Sequence, residues 1–472
     1  MKNEVNCALV AKKNEVNRAL VAKKKLFLPL IAIAAVFAIA LTGCKESKNE
    51  PGNESKKEYA LIHSMGTPVT NPTNADWCKA PKAEQTLSSL RRVSDRFYYM
   101  DFMTDLQWNW FEQQDFRTRK DYEKAFEDKY FTKDGQEESL DSEKPACSGF
   151  VCFNEEGEVL FGRNFDGTGG PLCMIFNKAN GYKYIQFTAP NYNSKLYNPD
   201  VRHIPSADGL LSDGTTSLHR LMREPLATMD GMNEYGLCFG AFQLPVFSDL
   251  TGAELPIRVM QNESGKKAIS TSLMHNLILS QCKTVKEVET YLRNHNYVCL
   301  HPSLNVHWII ADATGDWALF EYWNDVLTVY HDKDLAYITN YAGGRVPYEW
   351  FSIENYYRHW DAYTTFPAAA EPNNWQLSMT NKSRIMHMMS AYKPVMNEME
   401  ALMCLQEGNF GIEVLGNLTD WSCVYNPKQR TILFCMRNDM STIYKVDLKK
   451  ELNGDYGTPQ PPKPQGRDTI PY

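Results

Sequence analysis

A chain of 472 residues, 43% hydrophobic and 12% aromatic, is long enough to bury one or two large cores. Its net charge of −7, with no basic run outside the N-terminus, excludes nucleic acid as a partner. No CxxC pair and no HExxH motif occurs, so neither a metal site nor a cofactor is expected.

The N-terminus reads as a targeting element. KNEVNCALVAKK at Lys2–Lys13 is nearly repeated at Lys13–Lys24, which lengthens the basic region and is assigned no function. Lys23–Lys25 precede an apolar run, LFLPLIAIAAVFAIAL, and then LTGC at Leu41–Cys44. That order predicts a lipoprotein signal peptide over residues 1–43, with Cys44 as the lipid acceptor. A single transmembrane anchor is the alternative. The run is short of the ~20 residues a spanning helix needs, and the small-Gly-Cys ending favours a lipid anchor in the cell envelope. Residues 44–57 are polar and read as a tether.

Residues 58–146 form a leader with structure of its own. Leu87, Leu90 and Val93 suggest one face of a helix, and RFYYMDFM at Arg96–Met103 a strand. The polar run TKDGQEESLDSEKPA then leads to Ala146 like an exposed, cleavable loop.

The next run, CSGFVCFNEEGEVLFGRNFD from Cys147 to Asp166, reads as a hairpin, because two apolar stretches flank a polar turn ending in Gly157. Folding it returns Arg163 and Asp166 towards Cys147. A cysteine attacks only as thiolate and needs a base. Cleavage between Ala146 and Cys147 would free an α-amine with a reference pKa of about 7.7–8.0, already attached to the nucleophile. Asp166 would orient that amine, and Arg163 would hold the carboxylate and favour thiolate. The same residues are compatible with a plain hairpin carrying a buried cysteine and a surface Arg–Asp pair.

These residues resemble the start of the N-terminal-nucleophile linear amide hydrolases, the group of choloylglycine (bile salt) hydrolases, penicillin V acylases, N-acylethanolamine acid amidase and acid ceramidase. The resemblance extends from Cys147 to about Leu448. It continues through DGMNEYGL at Asp230–Leu237, HWIIADATGDWALFE at His307–Glu321, YITN ending at Asn340, and Ser383–Arg384. It implies catalysis by Cys147 as nucleophile and base, supported by Arg163 and Asp166. Asn340 would donate to the oxyanion, and Arg384 would complete the charge network. Gln243, in GAFQLP, stands where bile salt hydrolases carry asparagine, so oxyanion geometry or substrate is expected to differ. The long leader is similar to the retained N-terminal subunit of N-acylethanolamine amidase and acid ceramidase. An inhibitory propeptide that departs is the other reading.

Beyond the hairpin, strands are expected at Tyr182–Ala189, Gly236–Phe242, Asn305–Ala311, Trp317–Glu321 and Leu335–Thr339. Helices are expected at Ile269–Gln281, at Thr284–Asn294 behind a Thr284–Glu287 capping box, at Met386–Ala391 and near Met396–Leu405. WSCVYNPKQRTILFCMRN reads as strand, turn, strand, and Thr442–Asp447 as a last strand. This order suggests α+β, and the resemblance implies a four-layer αββα sandwich over residues 147–453, followed by a Pro-rich tail, 454–472. Cys152 is the one rival nucleophile, but its mid-strand place gives it no route to a free amine. His307 reads as structural, Gly167–Pro171 as a lip of the cleft, and Tyr356–Phe366 as surface or core.

The expected activity is self-processing hydrolysis of a linear amide through a Cys147 thioester. The substrate is expected to be a small N-acyl amide with an apolar acyl chain. Conjugated bile salts or penicillin V are the alternative substrates, and a non-catalytic binding lipoprotein is the alternative of another class. The implied partners are that substrate, the membrane through lipid on Cys44, and α and β subunits cut from one chain. Homo-oligomerisation stays open.

Overall fold

The computed structural model describes residues 59–69, 78–94, 96–117, 119–130, 147–167, 172–189, 222, 224–243, 263–298, 306–323, 326–331, 337–338, 395–407, 418–437 and 439–453. All of them belong to one compact unit, Tyr59–Lys463. The expected signal peptide, the tether, the helix at Met386–Ala391, Tyr356–Phe366 and the Pro-rich tail lie outside the described residues.

The described strands in chain order are β1 (Thr67–Pro68), β2 (Arg91–Ser94), β3 (Phe97–Phe102), β4 (Ser148–Phe153), β5 (Val159–Gly167), β6 (Leu172–Asn177), β7 (Tyr184–Thr188), β8 (Asp230–Asn233) and β9 (Cys238–Gln243). They continue with β10 (Ala268–Ser270), β11 (Asn296–Val298), β12 (Val306–Ala311), β13 (Trp317–Trp323), β14 (Val326–Tyr330), β15 (Tyr337–Ile338), β16 (Leu418–Asn426), β17 (Thr431–Met436) and β18 (Ile443–Asp447). The helices are α1 (Ala83–Ser88), α2 (Trp108–Gln113), α3 (Arg119–Tyr130), α4 (Thr271–Gln281), α5 (Val285–Arg293), α6 (Glu398–Glu407) and α7 (Leu448–Asn453).

A ten-stranded sheet runs β1-β2-β3-β6-β7-β8-β9-β12-β13-β14, and a six-stranded sheet runs β15-β4-β5-β16-β17-β18. Three apolar cores separate four layers. Helices α2 to α5 cover the outer face of the large sheet, where Leu273, Leu277 and Leu292 meet Trp308, Ile310 and Phe320. The inner faces of the two sheets pack through Phe161, Phe165, Phe187, Ile309 and Trp421. On the far side of the small sheet, Leu402 and Leu405 of α6 cover Phe150, Cys152 and Val424. This is the α+β αββα sandwich.

Local chemistry explains the elements. β12 is buried on both faces, and its unbroken run of Trp, Ile and Ala matches that burial. Helix α5 starts at Thr284, whose hydroxyl accepts the Glu287 N–H at 3.2 Å. Glu287 reaches back to the N–H of Lys283 at 2.6 Å, one residue earlier than in a standard capping box. The turn between β4 and β5 closes through Gly157 N–H donating to Asn154 O at 2.9 Å, with Gly157 at φ +77°.

One sequence expectation fails in the leader. Leu87 lies in α1, but that helix stops at Ser88, and Val93 belongs to β2. The β-branched and aromatic run that follows pairs with the sheet instead, and tertiary pairing overrides the weak helical spacing. The strand expected in RFYYMDFM forms as β3 and pairs in parallel with β6, Phe97 opposite Leu172. The leader also ties to the C-terminal helix. His63 bonds Glu451 of α7, and its other ring nitrogen lies 2.8 Å from Asp101, which Lys178 also meets at 2.8 Å.

Candidate active site

Cys147 stands immediately before β4, and the β4–β5 register sets Gly149 opposite Arg163 and Ser148 opposite Asn164. Side chains alternate along β5, so Phe161, Arg163 and Phe165 face the ten-stranded sheet. Cys147 faces the same inter-sheet core. Both Cys147 and Arg163 are buried, at 2% and 0% exposure.

Arg163 crosses the gap between the sheets. Its Nη1 donates to Asp230 on β8, and its Nη2 donates to Ala241 O on β9 at 2.6 Å. Nη2 also lies 3.8 Å from Cys147 Sγ. The guanidinium sits between two rings, with Cζ 5.2 Å from Phe165 and 5.2 Å from Phe242. Gly240 makes room for this arm: a Cβ there would fall 2.8 Å from Arg163 Cδ.

Arg163, expected from the sequence to hold the Asp166 carboxylate, bonds Asp230 instead. Asp166, three residues on, falls to the other side of the pleat and turns to its cross-strand neighbour Thr419, whose hydroxyl donates at 2.5 Å. A bulge between Thr419 and Trp421 sets that register. Asp166 still serves the thiol, because its backbone hydrogen-bonds the sulfur.

The electrostatics follow from burial. Desolvation pushes the Cys147 thiol up to about 11, although Arg163 and the Asp166 backbone pull the other way, and the charges of Asp166 and Asp230 add to the rise. Burial also lifts Asp166 to about 7, against the Thr419 hydrogen bond and the Arg163 charge. Burial pushes Asp230 upward, opposed by the Arg163 charge and by hydrogen bonds from Tyr425, Trp421 and Arg163. A thiol this reluctant to ionise attacks nothing at neutral pH without a base at hand.

Of the residues singled out from sequence, Cys147, Arg163 and Asp166 are brought together. Ala146, Asn340, Arg384, Cys44 and the side chain of Gln243 lie outside the described residues, as does the Gly167–Pro171 lip beyond the end of β5. The backbone of Gln243 ends β9, opposite Val306. His307 is buried and paired with Glu321 at 2.7 Å. Sequence reasoning missed Asp230, Thr419, Trp421 and Tyr425. Asp230 had a visible sign, as the first residue of the DGMNEYGL segment; Trp421 and Tyr425 lie in a run that reads only as strand, turn, strand, and Thr419 lies two residues before it. Among the described residues, no cluster of metal-ligating side chains occurs.

Residues 147–383 match the family described as linear amide C-N hydrolases, choloylglycine hydrolase family. The bile salt hydrolase/transferase of Clostridium perfringens (strain 13 / Type A) is 25% identical over 199 residues, 41% of this chain. The chain spans about half of that relative, 53% of its length. Among solved structures, a variant of the conjugated bile acid hydrolase from Clostridium perfringens aligns at 17% identity and a TM-score of 0.41, covering 67% of this chain and 98% of that one. Penicillin V acylase from Agrobacterium tumefaciens aligns at 16% and 0.41, covering 66% and 89%. The Caenorhabditis elegans ortholog of N-acylethanolamine-hydrolyzing acid amidase aligns at 13% and 0.33, covering 60% and 93%. The family match starts at Cys147 and takes in half of the sequence: the chain belongs to the linear amide C–N hydrolases of the choloylglycine hydrolase family.

Proposed function

We propose that the protein is a self-processing amidase that cleaves a linear N-acyl amide through a thioester on Cys147. The observation that carries the reading is the meeting of Cys147 Sγ with Arg163 Nη2 at 3.8 Å and with the Asp166 backbone, at the start of β4. Cleavage after Ala146 frees the Cys147 amine. That amine takes the thiol proton, and the thiolate attacks the amide carbonyl. The tetrahedral intermediate collapses to a thioester as the leaving amine takes the proton back. Water, deprotonated by the same α-amine, then releases the acid and restores the thiol. Asn340 and Gln243 are assigned to the oxyanion and Arg384 to the charge network.

The substrate proposed is an amide with an apolar acyl chain, supported by the long leader and by glutamine at position 243. The leader, 58–146, is proposed to stay as an α-subunit after the cut. β3 lies inside the large sheet between β2 and β6, and His63 grips Glu451, so removing the leader would strip a strand from β6 and expose its apolar face. A lipid on Cys44 is proposed to anchor the protein in the cell envelope. A second reading, conjugated bile salt hydrolysis, rests on the bile salt hydrolase/transferase relative; penicillin V hydrolysis is the further alternative in the family.

Intact mass and N-terminal sequencing of protein expressed without residues 1–43, followed by a screen of fatty acyl ethanolamides, acyl amino acids and glycine- or taurine-conjugated bile salts, tests this. A fragment beginning CSGF, co-purifying with the leader and hydrolysing acyl amides, is the expected result. An uncut chain with no hydrolysis would sink the amidase reading in favour of a binding lipoprotein. Preference for bile salts would overturn the substrate assignment alone.

A further inference from the structure

Asp230 is a fully buried carboxylate on the sheet opposite the nucleophile, and three side chains of the other sheet converge on it. Arg163 Nη1 donates to it from β5. Trp421 Nε1 donates at 3.2 Å and Tyr425 OH at 2.6 Å, both from β16. The guanidinium is planar, so fixing Nη1 on Asp230 fixes where Nη2 points. Nη2 is the nitrogen that meets Ala241 O and lies beside Cys147 Sγ.

We propose that Asp230 is a positioning residue for amide cleavage, setting the orientation of Arg163 and cancelling its charge so that Cys147 receives a directed hydrogen bond instead of a free positive charge. The proposal rests on Cys147 as nucleophile. An uncompensated guanidinium in a dry inter-sheet core would stabilise the thiolate strongly and lower the midpoint of the thiol, while a guanidinium released from Asp230 would no longer hold Nη2 beside the sulfur. Among the described residues, the charges that act on Cys147 are those of Arg163 and Asp166 on β5 and Asp230 on β8; Arg163 favours the thiolate and both carboxylates oppose it. Among the described residues, the groups that act on Arg163 are Asp230, Cys147, Cys423 and Tyr425, and His275 lies within reach of its charge. Asp230 is therefore the counter-ion that holds the balance.

The test measures kcat, KM and the pH midpoint of Cys147 alkylation by iodoacetamide, read by peptide mass, in the wild-type chain, Asp230→Asn, Asp230→Glu and Tyr425→Phe. The midpoint is read on cut and uncut protein alike, since the thiol is present in both. Asp230→Asn is expected to lower the midpoint and cut kcat more than tenfold with KM little changed, and Asp230→Glu to restore the midpoint in part. Tyr425→Phe keeps the charge but loosens the carboxylate, so kcat falls several-fold while the midpoint shifts little. An Asp230→Asn midpoint that stays or rises overturns the proposal. If that variant does not fold, Tyr425→Phe decides alone, and an unchanged kcat there rejects positioning by Asp230. Failure of the underlying reading looks different: Cys147→Ala would still turn over amide.

Discussion

Cys147 and Cys152 lie five residues apart at and within one strand, and the pleat sends them to opposite faces of it. Cys147 enters the inter-sheet core beside Arg163, within reach of the Asp166 backbone and the Asp230 charge. Cys152 enters the core beneath α6, among Phe150, Leu160, Leu402 and Val424. Burial raises both thiols, but Cys147 has a cation and a backbone donor pulling back, while the neighbours that act on Cys152, Cys404 and Glu400, push it further up. The two thiols differ in what the strand's alternation places around the sulfur, not in burial.

Substituting the two cysteines gives the widest separation. Cys147→Ala is expected to abolish turnover and leave the chain uncut after Ala146, read by product release and intact mass. Cys152→Ala should keep full activity and lose about 1 kcal/mol of stability in urea, for the sulfur removed from a packed core. Activity lost in Cys152→Ala with normal folding would break the comparison outright. Arg163→Lys comes next. A lysine cannot serve Asp230, Ala241 and Cys147 together, and losing charge-assisted hydrogen bonds of this kind costs about tenfold to a hundredfold in kcat/KM. Equal kcat/KM in the lysine variant would mean that charge alone suffices.

The legible parts of the molecule were those written in local pattern. The β4–β5 hairpin showed in its apolar runs and turn glycine, and α5 in its capping residues. The sandwich followed from the order of strands and helices together with the resemblance. The Arg163–Asp230 pair was not legible from local pattern, because the partners are 67 residues apart and sit on different sheets. Thr419 was hidden further by the bulge, which no alternation rule announces. Val93 misled for the opposite reason: its spacing from Leu87 and Leu90 suits a helix, but it pairs into the large sheet as part of β2.

Gly240 shows how a residue without chemistry of its own tests the site. A Cβ at this position would meet Arg163 Cδ at 2.8 Å and the Phe161 ring at 2.7 Å. Gly240→Ala must therefore displace the arm that reaches Cys147, and kcat is expected to fall about tenfold with KM nearly constant, since misplacement of an ångström or less is enough. A Gly240→Ala enzyme with wild-type kcat would show that the arm has slack, and that the distance to Sγ is not what separates Cys147 from Cys152.

Thr419→Val sharpens the comparison most finely, because it leaves every charge in place. The hydroxyl donates to the Asp166 carboxylate and so favours its ionised form; removing it sends Asp166 further above about 7. The acid limb of kcat/KM should move to higher pH, with little change at the alkaline plateau. Stability supplies an independent sign. Asp166 holds its proton more tightly in the folded chain than its ordinary value of 3.8 allows. Its contribution is therefore fully present below 3.8 and is lost as pH rises through about 7. Thr419→Val leaves the ionised carboxylate without its donor, so the variant's deficit in Tm should widen from pH 5 to pH 8. A deficit that is constant with pH would separate Thr419 from Asp166 and leave the acid limb to the α-amine of Cys147.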